Sequence, residues 1–116
     1  MKLALGSDHG GYELKQEIKS LLEAEGVKYQ DLGTDSTESV DYPEFAKLVG
    51  QAVVTGECDQ GILICGTGIG MSMAANKIKG VRAALCHDVY SAKMTRHHNN
   101  ANVLTMGARV IGEDLA

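Results

Sequence analysis

The sequence has no tryptophan, one phenylalanine, one proline and only 4% aromatic residues. Its core must therefore be aliphatic, and an apolar content of 44% over 116 residues suffices for a single globular domain. No apolar run approaches the roughly 20 residues that a bilayer-spanning helix needs. Basic charge is not in excess: 11 lysines and arginines face 15 acidic residues, a net charge of −4. That balance excludes a broad electrostatic surface for nucleic acid or anionic lipid. Any phosphate site must then be assembled locally, from helix N-termini and a few cations. The three cysteines, Cys58, Cys65 and Cys86, are odd in number and lack C-x-x-C spacing, which argues against a disulfide framework and a zinc site. Free thiols, and an opening that reads as a strand rather than a leader, set the expectation of a cytoplasmic protein.

What is present is a regular alternation. Lys2–Gly6 reads as a first strand, and Tyr12–Ala24 as a helix with Leu14, Ile18, Leu21 and Leu22 at helical spacing and Gly26 beyond its end. Val27–Leu32 reads as a second strand and Gly33–Asp41 as a polar loop. Pro43 opens a helix carrying Phe45, Ala46, Leu48, Val49, Ala52 and Val53. Gln60–Cys65, the most hydrophobic stretch, is a buried central strand. It turns through Gly66–Gly70 into a helix reaching Lys77. Val81–Cys86, Tyr90–His98 and Val103–Met106 supply a strand, a helix and a fifth strand. This order predicts one α/β domain over residues 1–116: a doubly wound, Rossmann-like, five-stranded parallel sheet with helices on both faces. After Gly112 a further helix is expected to begin at Glu113-Asp114-Leu115-Ala116.

Such sheets bind ligands beyond the carboxyl ends of their strands. The residues expected there are Ser7-Asp8-His9-Gly10-Gly11, Cys65 with Gly66-Thr67-Gly68-Ile69-Gly70, Asp88, and Gly107-Ala108-Arg109. The G-x-G-x-G turn lets backbone N–H groups approach an anion, though it is neither a P-loop nor a dinucleotide fingerprint. Cys65 reads either as a small core residue ending a strand or as a thiolate stabilised by the turn's N–H groups and the following helix. In the second case it is placed to take a proton from a carbon beside a carbonyl, with the amides and the Thr67 hydroxyl holding the enediolate oxygens. Cys86 reads as a core residue and Cys58 as an incidental residue of a polar turn. Asp8-His9 is either a solvated loop pair or a ligand contact, the following glycines allowing close approach. Arg96-His97-His98-Asn99-Asn100 fits cations and an asparagine cap at a helix C-terminus, and no metal site is expected, because adjacent histidines on a helix diverge. Arg109 is one of few cations at the expected ligand edge and suits a phosphate.

Taken together, six segments resemble the type B ribose-5-phosphate isomerase family, which includes galactose-6-phosphate and allose-6-phosphate isomerases. They are Gly6–Gly11, Asp41-Tyr42-Pro43, Gly61–Gly70, Ala74–Lys77, His98-Asn99 through Asn102-Val103-Leu104, and Gly107–Gly112. The resemblance implies that Cys65 is the base that moves a proton between the first two sugar carbons. It makes Thr67 and the amides of Gly66, Gly68, Ile69 and Gly70 the enediolate cradle. His98 becomes the acid of furanose ring opening, Asp8 its assistant at the ring oxygen, and His9, Asn99 and Arg109 substrate contacts. It also implies no cofactor, no metal, and a homodimer or dimer of dimers in which one subunit's histidine segment meets its partner's cysteine loop. Family members continue into a final helix and tail bearing further arginines, an extension that 1–116 lacks. The expected reaction is interconversion of D-ribose 5-phosphate and D-ribulose 5-phosphate. A six-carbon aldose 6-phosphate (allose or galactose) is the nearest alternative. Cys65 and His98 on one chain favour the ribose enzyme over galactose-6-phosphate enzymes, which divide these residues between two subunits. A non-catalytic phospho-ligand-binding module would need the glycine turn but neither Cys65 nor His98. A receiver domain would need an acidic cluster that is missing.

Overall fold

The computed structural model describes residues 1–116. Five strands form one parallel sheet: β1 (Lys2–Ser7), β2 (Lys28–Asp31), β3 (Gln60–Cys65), β4 (Ala83–Leu85) and β5 (Val103–Gly107). Four helices connect them: α1 (Tyr12–Ala24), α2 (Tyr42–Val54), α3 (Ile69–Ala75) and α4 (Val89–Asn99). A single 3-10 turn, His9–Gly11, leads into α1. The α/β architecture is as the alternation predicts.

The spatial order is β2-β1-β3-β5-β4, so the chain leaves β3, lays down β4 at the edge and returns to insert β5 beside β3. Composition accounts for that inversion. β5 contributes Val103, Thr105 and Met106, all buried, whereas β4 is three residues long and leaves Leu85 partly exposed, as an edge tolerates. Side chains alternate across the sheet. Leu3, Leu5, Ile64 and Met106 therefore meet Leu14, Ile18 and Leu22 of α1 on one face. Ala4, Leu63, Cys65 and Val103 meet Val49 of α2 and Met71 of α3 on the other. Burial of these aliphatic groups, at roughly 25 cal/mol per Å² of apolar surface, is what holds the helices to the sheet. α4 has no buried residue and caps the fold loosely.

Where elements are shorter than expected, polar locks are responsible. α3 stops at Ala75 because the Asn76 amide grips the next strand, its Oδ1 accepting the Ala83 N–H at 2.8 Å and its Nδ2 donating to Ala83 O at 2.9 Å. β4 starts only at Ala83 because the Arg82 N–H is taken by Asn102 Oδ1 at 2.8 Å. The segment after Gly112 forms one hydrogen-bonded turn, Ala116 N–H to Gly112 O at 3.0 Å, rather than an assigned helix. No helix is long and apolar enough to cross a membrane.

Candidate active site

Cys65 ends β3, and its partner across the ladder is Gly107, the last residue of β5. The side chain is 5% exposed and belongs to the core on the α2–α3 face. Its sulfur nevertheless faces the glycine turn, where Sγ accepts the Gly68 N–H at 3.1 Å. Gly68 is at φ 80° immediately before α3, a conformation that a side chain disfavours. Thr67 is exposed, and its Oγ1 accepts the Ile69 N–H at 3.2 Å. The amides of Gly66, Thr67, Gly70 and Met71 find no acceptor within the chain. A run of free N–H groups beside a sulfur is the arrangement that stabilises a developing oxyanion.

The loops after β1 and β5 close on this turn. Asp8 is buried and caps the 3-10 turn, its Oδ1 accepting the Gly11 N–H at 3.1 Å. His9 Nδ1 accepts the Val40 N–H at 3.2 Å, which pins the Gly33–Asp41 loop over the site. The Ala108 N–H donates to Cys65 O at 2.8 Å and the Arg109 N–H to Gly66 O at 3.0 Å. The Arg109 guanidinium thereby lies across two glycines. A side chain begun at Gly66 would sit 3.5 Å from Nη1, and one begun at Gly10 3.7 Å from Nη2. His9, Gly10 and Arg109 open onto a polar cleft of about 910 Å³, also lined by Gln16 and Thr37.

Asp8, His9, Cys65, Gly66, Thr67, Gly68, Ile69, Gly70 and Arg109 thus converge at the carboxyl edge of the sheet. His98 and Asn99 do not. α4 starts at that edge but runs back to the other, and its ten-residue path from Val89 to His98 spans about 15 Å. Its last turn is exposed, and Asn99 O accepts from Arg82 Nε at 2.6 Å, beside the start of β4. Asn100, at φ 50°, caps the helix as its sequence pattern predicts. Asp88 caps the other end of α4. Its carboxylate accepts the Ser91 N–H at 2.6 Å and the Ser91 hydroxyl at 2.8 Å, bonds that hold its pKa below the usual carboxylate range.

Burial pushes the Cys58 and Cys86 thiols up, away from the reactive thiolate form. Cys58 lies in the turn between α2 and β3, as expected, but is not incidental: its side chain is almost fully buried in the α2-side core. Two residues beside the site, Tyr42 and His87, are assigned no role from the sequence. The Tyr42 ring lies over the start of α3, 2.8 Å from where a Gly70 side chain would begin. His87 Nε2 accepts the N–H of Gly107, the last residue of β5, from 20 residues away. The pattern at Asp41-Tyr42-Pro43 marks a helix start, but not which helix it faces.

Comparison with known proteins bears on what this constellation does. The sequence pattern of the Ribose/Galactose Isomerase family matches residues 3–116. Ribose-5-phosphate isomerase B of Escherichia coli is 53% identical over 115 residues, covering 99% of this chain and 77% of that protein. D-erythrulose-4-phosphate isomerase of Pectobacterium atrosepticum is 45% identical over 117 residues, covering 100% of this chain and 77% of that protein. The solved structure of Clostridium thermocellum ribose-5-phosphate isomerase B superposes with a TM-score of 0.98 at 56% identity, over 99% of this chain and 78% of that one.

Proposed function

The chain belongs to the ribose/galactose isomerase family, and from that membership we propose that it is an aldose–ketose isomerase interconverting D-ribose 5-phosphate and D-ribulose 5-phosphate, with Cys65 as the base. The observation that carries the reading is the Cys65 sulfur, held at 3.1 Å by the Gly68 N–H beside four amides that lack acceptors. As a thiolate, Cys65 takes the proton from C2 of the open-chain aldose. The electron pair moves into the C1–C2 bond, and the carbonyl oxygen becomes the oxyanion of a cis-enediolate. The free amides and the Thr67 hydroxyl stabilise that oxyanion. The hydroxyl proton on O2 passes to O1, and the thiol returns its proton to C1 as the C2 carbonyl forms, giving the ketose and regenerating the thiolate. No net redox change occurs, and no cofactor enters the balance. Arg109 and His9 hold the phosphate at the cleft.

Ring opening needs an acid, and His98 is the residue proposed for it, with Asp8 at the ring oxygen and Asn99 as a substrate contact. Both His98 and Asn99 lie at the far edge of their own sheet, so a second copy must supply them. Exposed apolar residues near the glycine turn, Ile69 and Met73 on α3, support such a homodimer. Unpaired thiols support a reducing, cytoplasmic setting.

Replacing Cys65 with alanine is the direct test. Turnover of ribose 5-phosphate should fall by about 10³-fold or more while binding of the sugar phosphate persists. Unchanged turnover overturns the mechanism. The 45% identical erythrulose-phosphate relative favours one second reading, a four-carbon substrate in the same chemistry. The ratio of kcat/KM for erythrulose 4-phosphate and ribose 5-phosphate decides between them.

A further inference from the structure

We propose that His87 is a positioning residue for this site, holding the loop after β5 in the conformation that seats Arg109 and buttresses the glycine turn. The assignment rests on the isomerase reading for its kinetic consequence, but its geometry stands independently of it.

In a parallel sheet, alternate N–H groups of a strand point to the same neighbour. Those of β5 that face β4 include Val103, which donates to Arg82 O at 3.3 Å, and, four residues on, Gly107. β4 has ended at Leu85 by then, and the last backbone bond between the two segments is Cys86 N–H to Thr105 O at 3.2 Å. The Gly107 N–H would be left without a partner on that side. An unpaired buried amide is costly. His87 supplies the acceptor the strand no longer provides: its Nε2 receives the Gly107 N–H at 2.9 Å.

Gly107 is the point at which β5 is pressed against the turn. A side chain there would begin 2.5 Å from the carbonyl carbon and oxygen of Thr67, and one at Gly68 would begin 3.0 Å from Gly107 N. Any outward swing of Gly107 therefore loosens the peptide that presents its N–H to Cys65 Sγ. The next two residues are committed in turn, Ala108 N–H to Cys65 O and Arg109 N–H to Gly66 O. The imidazole acts through these contacts, not on the reacting atoms.

The decisive comparison is between variants that remove the acceptor and one that keeps it. His87→Leu has similar bulk and no acceptor; His87→Gln places an amide oxygen about where Nε2 stands. Amide hydrogen exchange at Gly107 should accelerate about tenfold or more in His87→Leu and return toward wild type in His87→Gln. KM for ribose 5-phosphate should rise about tenfold in His87→Leu with a smaller change in kcat, and recover in His87→Gln. Should His87→Leu fail to fold, His87→Asn, whose shorter amide cannot reach Gly107, takes its place. Gly107 exchange as slow as wild type without the acceptor overturns the proposal. So does a His87→Gln variant as impaired as His87→Leu in both readouts. If the wild-type chain converts no sugar phosphate, the isomerase reading falls and the exchange rates alone decide the positioning.

Discussion

Arg109 is fixed by its backbone while its head group stays uncommitted. The N–H is bonded to Gly66 O, and the ion pairs in the chain are those of Lys15 and Lys19 with Asp31, so the guanidinium is in no direct ion pair, although Glu13, Glu17 and Glu113 line the same cleft. A cation kept free above two glycines is suited to bidentate capture of a phosphate. Charge-assisted hydrogen bonds contribute about 1.5–3 kcal/mol each, so Arg109→Ala should raise KM about 10- to 150-fold and change kcat far less. Arg109→Lys should recover only part of the loss, because lysine offers a point charge and no fork. Equal loss in kcat and kcat/KM, measured from sub-saturating to saturating ribose 5-phosphate, would instead place Arg109 in the proton-transfer step.

At the scale of elements, α1 is tied to the end of β2 by a fully buried lysine. Lys15 Nζ donates to Asp31 Oδ1 and to Thr34 O, each at 2.6 Å, and Lys19 Nζ reaches Asp31 Oδ2 at 3.0 Å. Burial acts to raise the Asp31 pKa, but the bonds from Lys15, the Gly33 amide and Lys19 outweigh it, and the net shift is downward. A carboxyl whose folded pKa is lowered adds stability that is complete above its unfolded pKa, about 3.9, and lost as pH falls through the folded value. Asp31→Ala should therefore cost about 3–5 kcal/mol at pH 7, since it leaves Lys15 buried without its counter-charge. Part of that penalty should vanish as pH falls below about 4, where the unfolded chain's carboxyl takes up a proton first, and from there through the lowered folded pKa. Urea unfolding at the two pH values checks both statements. A penalty independent of pH would mean that packing, not charge, links α1 to β2.

For the whole molecule, the separation of Cys65 from His98 is the governing fact. One chain carries the proposed base at the carboxyl edge and the proposed ring-opening acid at the amino edge, so the proposed site is complete only when a second chain faces the first. Cys65→Ala and His98→Ala proteins, each inactive on cyclic ribose 5-phosphate, should regain part of the wild-type turnover when refolded together. The mixed dimer then holds one intact cysteine loop facing one intact histidine segment. No recovery from a mixture shown to contain mixed dimers would exclude a shared site.

Much of this was legible along the chain. The limits of α1 and β3 follow from residue periodicity and end signals, and the thiol-glycine turn is a contiguous string, Cys65 to Gly70. Hydrogen bonding within a helix and alternation along a strand involve near neighbours, so sequence order determines them. Lys15 could not be read this way: its buried position depends on Asp31 and Thr34, which reach it only when β2 docks. Nor could the β2-β1-β3-β5-β4 order, which sets Gly107 beside Cys65, calls on His87 to complete a strand edge and sends His98 to the opposite side. The sequence determined the elements and the chemistry of the thiol turn; the tertiary structure alone decided which loops meet, because contacts between residues far apart along the chain are chosen by packing of the whole sheet and not by any local pattern.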